Sequence, residues 1–326
     1  MPTISDVAKR ARVSTYTVSA VLNRSARVSP ELTDRVMKAV QELDYTINYI
    51  ARSLQTRKTE TLGMMLPDIG NPFYAKVVRG VDEVCARHNY SLLLSSMNEN
   101  VAEQNRGLML FRAKQVDGML LFIADGDESG LKSIVDKNIP VVCVGRRPVT
   151  VDTDTVIVDN KAGARLAVDH LVSKGHKRIA FITGSSGLSV SRDAVAGWRQ
   201  SLRHASITPQ KELVREGDWT EASGYKHALD LLQSPEPPSA FLVASLVMLS
   251  GVLRAAHELN KQVPADVALM STDDADWLDV FEPRISVVLQ PRHELGVAAA
   301  DLLFKRIAHP DREFEHVVLK PVLKLR

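Results

Sequence analysis

Ile4-Ser5-Asp6-Val7-Ala8-Lys9-Arg10-Ala11-Arg12-Val13-Ser14-Thr15-Tyr16-Thr17-Val18-Ser19-Ala20-Val21-Leu22-Asn23 decides how the start of the chain folds, because it reads as two short helices joined by a tight turn. Thr3-Ile4-Ser5-Asp6 has the form of a capping box, in which the Thr3 hydroxyl and the Asp6 carboxylate satisfy free backbone N–H groups as the first helix opens. Ile4, Val7, Ala8 and Ala11 recur at helical spacing and supply its buried face. Val13-Ser14 breaks the pattern, and Ser14 is an N-cap that restarts a helix along Thr15 to Leu22. There Val18, Val21 and Leu22 face inward, which leaves Thr15, Tyr16, Ser19 and Ala20 outward. Such a pair forms a helix-turn-helix, whose second helix enters the major groove of DNA and reads base edges; a plain amphipathic helical hairpin has the same pattern.

The flanking residues extend the module. Ser29-Pro30-Glu31 is a strong helix start, with Ser as N-cap, Pro at the first helical position and an acid in the first turn. Leu32, Val36, Ala39, Val40 and Leu43 then give a third helix able to close a small core. Asn48 to Lys58 follows, about two helical turns and too short to be stable alone. Leu54 is apolar for an exposed linker. Such a side chain can wedge between base steps in the minor groove, or pack on a neighbouring domain as part of an ordinary linker.

The run Ile4-Ser5-Asp6-Val7-Ala8, Val13-Ser14, Thr17-Val18-Ser19, Val21-Leu22-Asn23, then Val28-Ser29, Tyr45 and Ala51-Arg52-Ser53-Leu54, resembles the N-terminus of the LacI/GalR family of bacterial transcription regulators. The resemblance runs along essentially the whole chain. It implies a homodimer on the double-stranded DNA of a pseudo-palindromic operator, recognition helices in two major grooves, and paired hinge helices that insert leucines at a central CpG step. By position, Thr15, Tyr16 and Ala20 would face bases and Leu54 would be the wedge, while Thr3, Ser14, Thr17, Ser19, Asn23 and Ala51 complete the implied DNA-binding set. Many relatives have Arg or His where this chain has Ala20, and Ala offers only apolar contact, so readout is expected to shift toward Thr15 and Tyr16.

Charge is distributed to match. The 326 residues carry a formal net charge of +2, with 45% apolar and 25% charged residues, which is ordinary for a globular protein. Residues 1–58 hold ten Lys or Arg against five Asp or Glu, a net +5; the remainder holds 31 against 34, a net −3. The positive field therefore lies where phosphates would sit. No apolar run is long enough for a membrane span, and Met1-Pro2 leads straight into the first helix, so a cytoplasmic, nucleoid-associated protein without membrane contact is expected. Cys85 and Cys143 lie in apolar segments and suit a reducing compartment better than a disulfide.

Beyond Lys58 short apolar runs alternate with amphipathic helices. Leu62 to Leu66, Leu92 to Ser95, Gly118 to Ile123 and Pro140 to Val144 read as buried strands, with helices over Phe73 to Asn89, Val101 to Lys114 and Ser129 to Asn138. This is the rhythm of a parallel, doubly wound sheet, and it starts again from Lys161 to Ser271. Glu294 to Ala308 and Glu315 to Leu319 give a late helix and strand. The resemblance implies that this late segment crosses back to the first lobe. The sequence itself supports two α/β units; with the resemblance, the implied architecture is a small all-α helix-turn-helix domain (1–46), a hinge and linker (47–60), and a two-lobed α/β (parallel-sheet) domain like periplasmic sugar-binding proteins (61–326). Lobe 1 is expected at about 61–159 plus 291–320 and lobe 2 at about 160–290 plus 321–326, with a ligand cleft at the C-terminal ends of the strands.

Loops leaving those strand ends carry the candidate effector contacts. Asp68 to Tyr74 resembles the family's Asn-Pro-Phe-Phe turn and nominates Phe73 and Tyr74. In Gly145-Arg146-Arg147, where relatives often have Asp-Arg, Arg146 offers a fixed fork to hydroxyls or an anion, and Gly145 forfeits an acid. Arg192 is displaced by two positions from a common cleft Arg. Trp219 and Asp273 match a stacking aromatic and a ligand-binding acid, while Ser245-Leu246 replaces a common Asn-Asp. Gly184-Ser185-Ser186-Gly187 reads as a turn, or less readily as an anion cradle. Trp277 reads equally as a cleft aromatic or as one in the core or on a dimer face. Arg146 and Asp273 could also pair with each other. An Arg, an Asp and aromatic rings suit a sugar or sugar acid.

No phosphate-binding loop, dinucleotide fingerprint, zinc-ligand spacing or nucleophile with a base is present in the sequence, so neither catalysis nor a cofactor is expected. Two functions fit: an effector-controlled repressor, or a ligand-binding clamshell whose DNA contact is incidental. Only the first needs Leu54 and a sequence-specific affinity that responds to ligand. The chain stops soon after the last strand without a Leu-heptad tail, and a dimer is expected.

Overall fold

In the computed structural model, which describes residues 2–23, 26–46, 53 and 58–326, the Thr3–Asp6 box is closed in both directions. Asp6 N–H donates to Thr3 Oγ1 at 3.3 Å and Thr3 N–H donates to Asp6 Oδ2 at 2.9 Å. These bonds open helix α1 (Ile4–Ala11), which ends where Arg12 adopts the left-handed conformation. Ser14 Oγ accepts from Thr17 N–H at 3.1 Å and starts α2 (Thr15–Asn23). Ser29 and Pro30 start α3 (Pro30–Glu42). Val7, Ala8, Ala11, Val18, Val36 and Ala39 form the core of this unit. Arg35 of α3 donates to the carbonyls of Ala11 and Arg12 at 2.6 and 3.1 Å, satisfying the open end of α1 and fixing the turn between α1 and α2.

The chain divides into two units, residues 1–59 and 60–326. The second holds β1 (Thr61–Leu66), α4 (Pro72–His88), β2 (Ser91–Ser96), α5 (Val101–Ala113), β3 (Gly118–Leu121), α6 (Ser129–Val135), β4 (Val141–Val144) and β5 (Asp154–Val158). Then follow α7 (Asn160–Ser173), β6 (Ile179–Thr183), α8 (Ser189–His204), β7 (Val214–Glu216), α9 (Glu221–Leu232), β8 (Ala240–Val243), α10 (Leu246–Glu258) and β9 (Ala268–Ser271). The chain ends with β10 (Ser286–Leu289), α11 (Arg292–Ala308), β11 (His316–Leu319) and β12 (Val322–Lys324). One six-stranded sheet has the order β11-β5-β4-β3-β1-β2, all parallel; the other has the order β12-β10-β9-β8-β6-β7, parallel except for β12.

Each sheet belongs to one lobe with its own apolar core, built on Leu62, Phe111 and Leu120 in the first and on Phe181, Trp198 and Phe241 in the second. The chain passes between the lobes three times, at β5 to α7, β10 to α11 and β11 to β12. Helix α11 returns to the first lobe and packs on α4, where a Cβ on Gly80 would lie 2.2 Å from His293 O and one on Gly296 would lie 2.1 Å from Val77 O. The two bare glycines let the helix backbones touch and so seat the returning helix. Strands β5, β7, β10 and β12 had no counterpart in the sequence reading. Cys85 and Cys143 are separate buried thiols.

Candidate functional site

A cavity of about 870 Å³, part of it open to solvent, lies between the lobes at the C-terminal ends of both sheets. The three crossovers contribute Val158, Asp159, Gln290 and Pro321 to its lining. Phe73, Tyr74, Arg146, Trp219 and Asp273 all line it. Phe122, which the sequence did not nominate, completes an aromatic wall: Phe73 and Tyr74 meet edge to face at 5.1 Å, and Tyr74 and Phe122 at 5.0 Å. Phe122 also explains the glycine beside Arg146, because a Cβ on Gly145 would stand 2.7 Å from its ring. On the other lobe Trp219 packs against Gly184, where a Cβ would fall 2.1 Å from the indole.

The two charged contacts do not pair with each other; each has its own partner. Arg146, 4% exposed, donates from both terminal nitrogens to Glu99, at 2.7 and 2.5 Å, and from Nη1 to Ile123 O at 2.6 Å. Glu99 is held in place by two successive left-handed residues, Asn98 and Glu99. Burial lowers the Arg146 pKa, but the Glu99 hydrogen bonds together with the fields of Tyr74, Glu99 and Asp125 outweigh it, and the guanidinium is held charged more firmly than usual. Asp273, 3% exposed, pairs with the equally buried Arg292 at 3.2 Å. Burial pushes its carboxyl up to about 6, against the pull of Arg292. Burial likewise pushes the Tyr74 phenol up, so it stays protonated.

The expectation for Arg192 is corrected. Arg192 is exposed, lies outside the cavity lining and donates to the carbonyls of Ser186 and Gly187. Val190 and Ala194 line the cavity instead, and Arg192, two residues from each, sits about 200° around α8 from them. The Gly184–Gly187 segment is a turn, not an anion cradle: Ser186 N–H donates to the Glu216 carboxylate at 2.9 Å, so an acid already occupies it. Trp277 is half exposed, stacked edge to face on Phe281 and outside the cavity lining.

Across the cleft mouth the lobes are joined by Lys76–Asp276 at 3.0 Å, by Arg147–Asp193 at 2.5 Å and by the Ser185 hydroxyl on Asp125. These bonds bridge the two lobes. All are exposed or half exposed and weak one by one, so a ligand can shift the balance between closed and open.

In the first unit the outward face of α2 carries Tyr16, 75% exposed, beside exposed Ser14 and Thr15, with Thr17 and Ser19 partly covered and Thr3 exposed at the start of α1. Ala20 corrects the sequence reading: it is only 3% exposed. Helical periodicity gives a residue's direction, but a methyl with no reach beyond the backbone is covered by longer neighbours. Ala51 and Leu54 lie outside the described residues, as does the side chain of Asn23.

Residues 3–48 match the bacterial regulatory proteins of the lacI family, and residues 168–326 match the periplasmic binding protein-like domain. The ribose operon repressor of Escherichia coli strain K12 is 34% identical over 100% of this chain and 99% of its own. The chain belongs to the lacI family of bacterial regulatory proteins. As a lacI-family member it is a DNA-binding transcription regulator, which sets the exposed face of α2 in context. Among solved structures it is similar to the lac repressor dimer bound to operator and the anti-inducer ONPF, with a TM-score of 0.88 and 26% identity over 100% of this chain and 98% of that one. It is also similar to the transcriptional regulator CelR in complex with cellobiose, with a TM-score of 0.77 and 31% identity over 100% and 99%. Among the described residues of this lacI-family chain, no helix is long and apolar enough to cross a membrane, and no cluster of His, Cys, Asp or Glu is arranged to hold a metal.

Proposed function

We propose that the chain is a cytoplasmic repressor that binds a pseudo-palindromic operator as a homodimer and is controlled by a small polar effector, a sugar or sugar acid, in the cleft between its lobes. The observation that carries this reading is the interlobe cavity with an aromatic wall and two buried ionic groups, on the same chain as a helix-turn-helix with an exposed Tyr16. In this account α2 enters the major groove and reads bases through Thr15 and Tyr16. Thr3, Ser14, Thr17, Ser19 and Asn23 position it, and Ala51 and Leu54 act in the minor groove. Ala20 is dropped from the base contacts.

Phe73, Tyr74, Phe122 and Trp219 would stack on the effector, with Asp273 and the remaining N–H groups of Arg146 orienting its polar edge. The names of the relatives support a sugar, since one acts on a ribose operon and another was solved with cellobiose. Pairing is supported by apolar side chains left open on both lobes, Ile69, Leu94, Met109 and Leu110 on one and Val280 on the other. Control would run through the hinge. A hinge helix of about two turns, expected over 48–58, would be marginal, so a few kcal/mol of differential effector binding is enough to order or melt it. Sedimentation of the protein on a duplex carrying its site tests the stoichiometry: two chains per duplex are expected, and one or four would contradict the proposal.

Asp273 also gives the effector affinity a pH dependence. Its carboxyl, raised to about 6, faces Arg292, Asp274 and the Tyr74 phenol. Above that pH it is a strong, ionised acceptor for effector hydroxyls, and below it a protonated carboxyl accepts more weakly. Affinity measured by calorimetry is therefore expected to fall several-fold between pH 7.5 and pH 5. Unfolding does not explain such a fall: a carboxyl with a raised folded-state pKa favours the folded chain more at low pH and less as pH climbs from about 4 to about 6. A flat profile would remove Asp273 from direct contact.

A further inference from the structure

We propose that the cleft selects a neutral, hydroxyl-bearing ring and rejects the corresponding acid, with the Thr183 hydroxyl as a specificity contact. The inference rests on the effector reading above and narrows it. The first observation is the charge balance. Among the described residues Arg146 is the only cation lining the cavity, and its charge is met inside the protein by the bidentate Glu99 pair. Asp273 is likewise met by Arg292, and Asp159, also in the lining, keeps its carboxylate as the cap of α7, accepting from Ala162 N–H at 2.8 Å. Two arginines thus face three carboxylates, and a bound anion would enter a site with no uncompensated positive charge. A ring carrying only hydroxyls has no such penalty, and the unused N–H groups of Arg146 still suit hydroxyl oxygens.

The second observation is independent. Thr183 lies at the C-terminal end of β6, lines the cavity and is 2% exposed, and its Oγ1 has no hydrogen-bond partner. Several other polar groups in the lining already have partners: Asn71 Oδ1 accepts from Phe73 N–H, Ser245 Oγ from Met248 N–H, and Gln290 Nε2 donates to Thr272 O. A buried hydroxyl left unmet disfavours the resting protein unless a ligand supplies the partner. Thr183 sits in the same wall as Trp219 and Ala244, where a stacked ring would bring a hydroxyl to it.

Calorimetry on the full chain tests both parts, using D-ribose, D-xylose, D-glucose and D-galactose, each beside its aldonate or uronate. At least one neutral sugar is expected to bind, with its acid about tenfold weaker or worse. Thr183→Val keeps the shape and the strand preference while removing the hydroxyl. It is expected to weaken that sugar by about tenfold or more, the size of one lost neutral hydrogen bond, while the melting temperature of the ligand-free protein holds or rises. Glu99→Gln frees the Arg146 charge and is expected to improve the acid by about tenfold. Acids binding as tightly as neutral sugars to the wild type would overturn the selectivity and leave the effector reading standing. Wild-type affinity in Thr183→Val would remove Thr183, and no binding by any of the sugars or acids would overturn both this inference and the sugar reading.

Discussion

Arg306→Ala is expected to destabilise residues 60–326 by about 3–5 kcal/mol, the cost of stranding a buried charge. Asp154 at the start of β5 is fully buried, and its carboxylate takes Arg306 Nε at 2.8 Å, Arg306 Nη2 at 3.1 Å and Glu315 N–H at 2.8 Å. Arg306 also donates to the carbonyls of Pro310 and Glu313, both at 2.9 Å, so one side chain ties α11, β5 and the lead-in to β11 together. Removing it leaves a carboxylate in the core with one backbone donor. Calorimetric melting is expected about 10 °C lower, since a unit of this size loses roughly 2–4 °C per kcal/mol. Lys132→Ala serves as the contrast. Its pair with Asp136, also at 2.8 Å, is exposed on both sides and is worth no more than about 0.5 kcal/mol. Equal effects of the two substitutions would show that the Asp154 site is hydrated and not part of the core.

Leu54→Ala is expected to weaken operator binding by about thirtyfold and leave the folded dimer and its effector affinity unchanged. The figure follows from losing the burial of one leucine side chain, about 2 kcal/mol, at a tenfold change for each 1.4 kcal/mol. It applies only if Leu54 inserts between base steps, as the proposed hinge requires. A linker leucine packed on its own protein would change stability and spare DNA affinity. Anisotropy titrations on operator DNA, with sedimentation as the check on assembly, separate the two, and unchanged operator affinity would remove the wedge from the account.

What was legible in the sequence is local. The Thr3–Asp6 box, the Ser14 and Ser29 caps and the alternation of strand and helix each depend on residues within a turn or two of one another. Phe73, Tyr74, Arg146, Trp219 and Asp273 could be placed at the cleft because loops at strand ends must meet in a doubly wound fold and because the family resemblance marks those positions. What stayed hidden is set by partners far away in the chain. Glu99 neutralises Arg146 from 47 residues off, and Arg292 reaches Asp273 across 19. β5 does not read as a buried strand because it opens Asp154-Thr155, and only Arg306, 152 residues on, makes that acid acceptable in a core. Thr183 reads as an ordinary strand residue, since an unmet hydroxyl shows only once its surroundings are known. Ala20 and Arg192 fail for a related reason: helical spacing gives direction around an axis, not depth beneath neighbours or the face a neighbouring lobe covers.

The central claim is that one chain joins sequence-specific DNA binding to an effector cleft. Its most direct test is selection of fragmented genomic DNA on the purified protein, with and without neutral sugars, followed by sequencing. Enrichment of a palindromic site with a central CG, at a level that the sugar changes, is the expected result, and the neighbouring genes would then point to the effector. Absence of any enriched site under both conditions would contradict it.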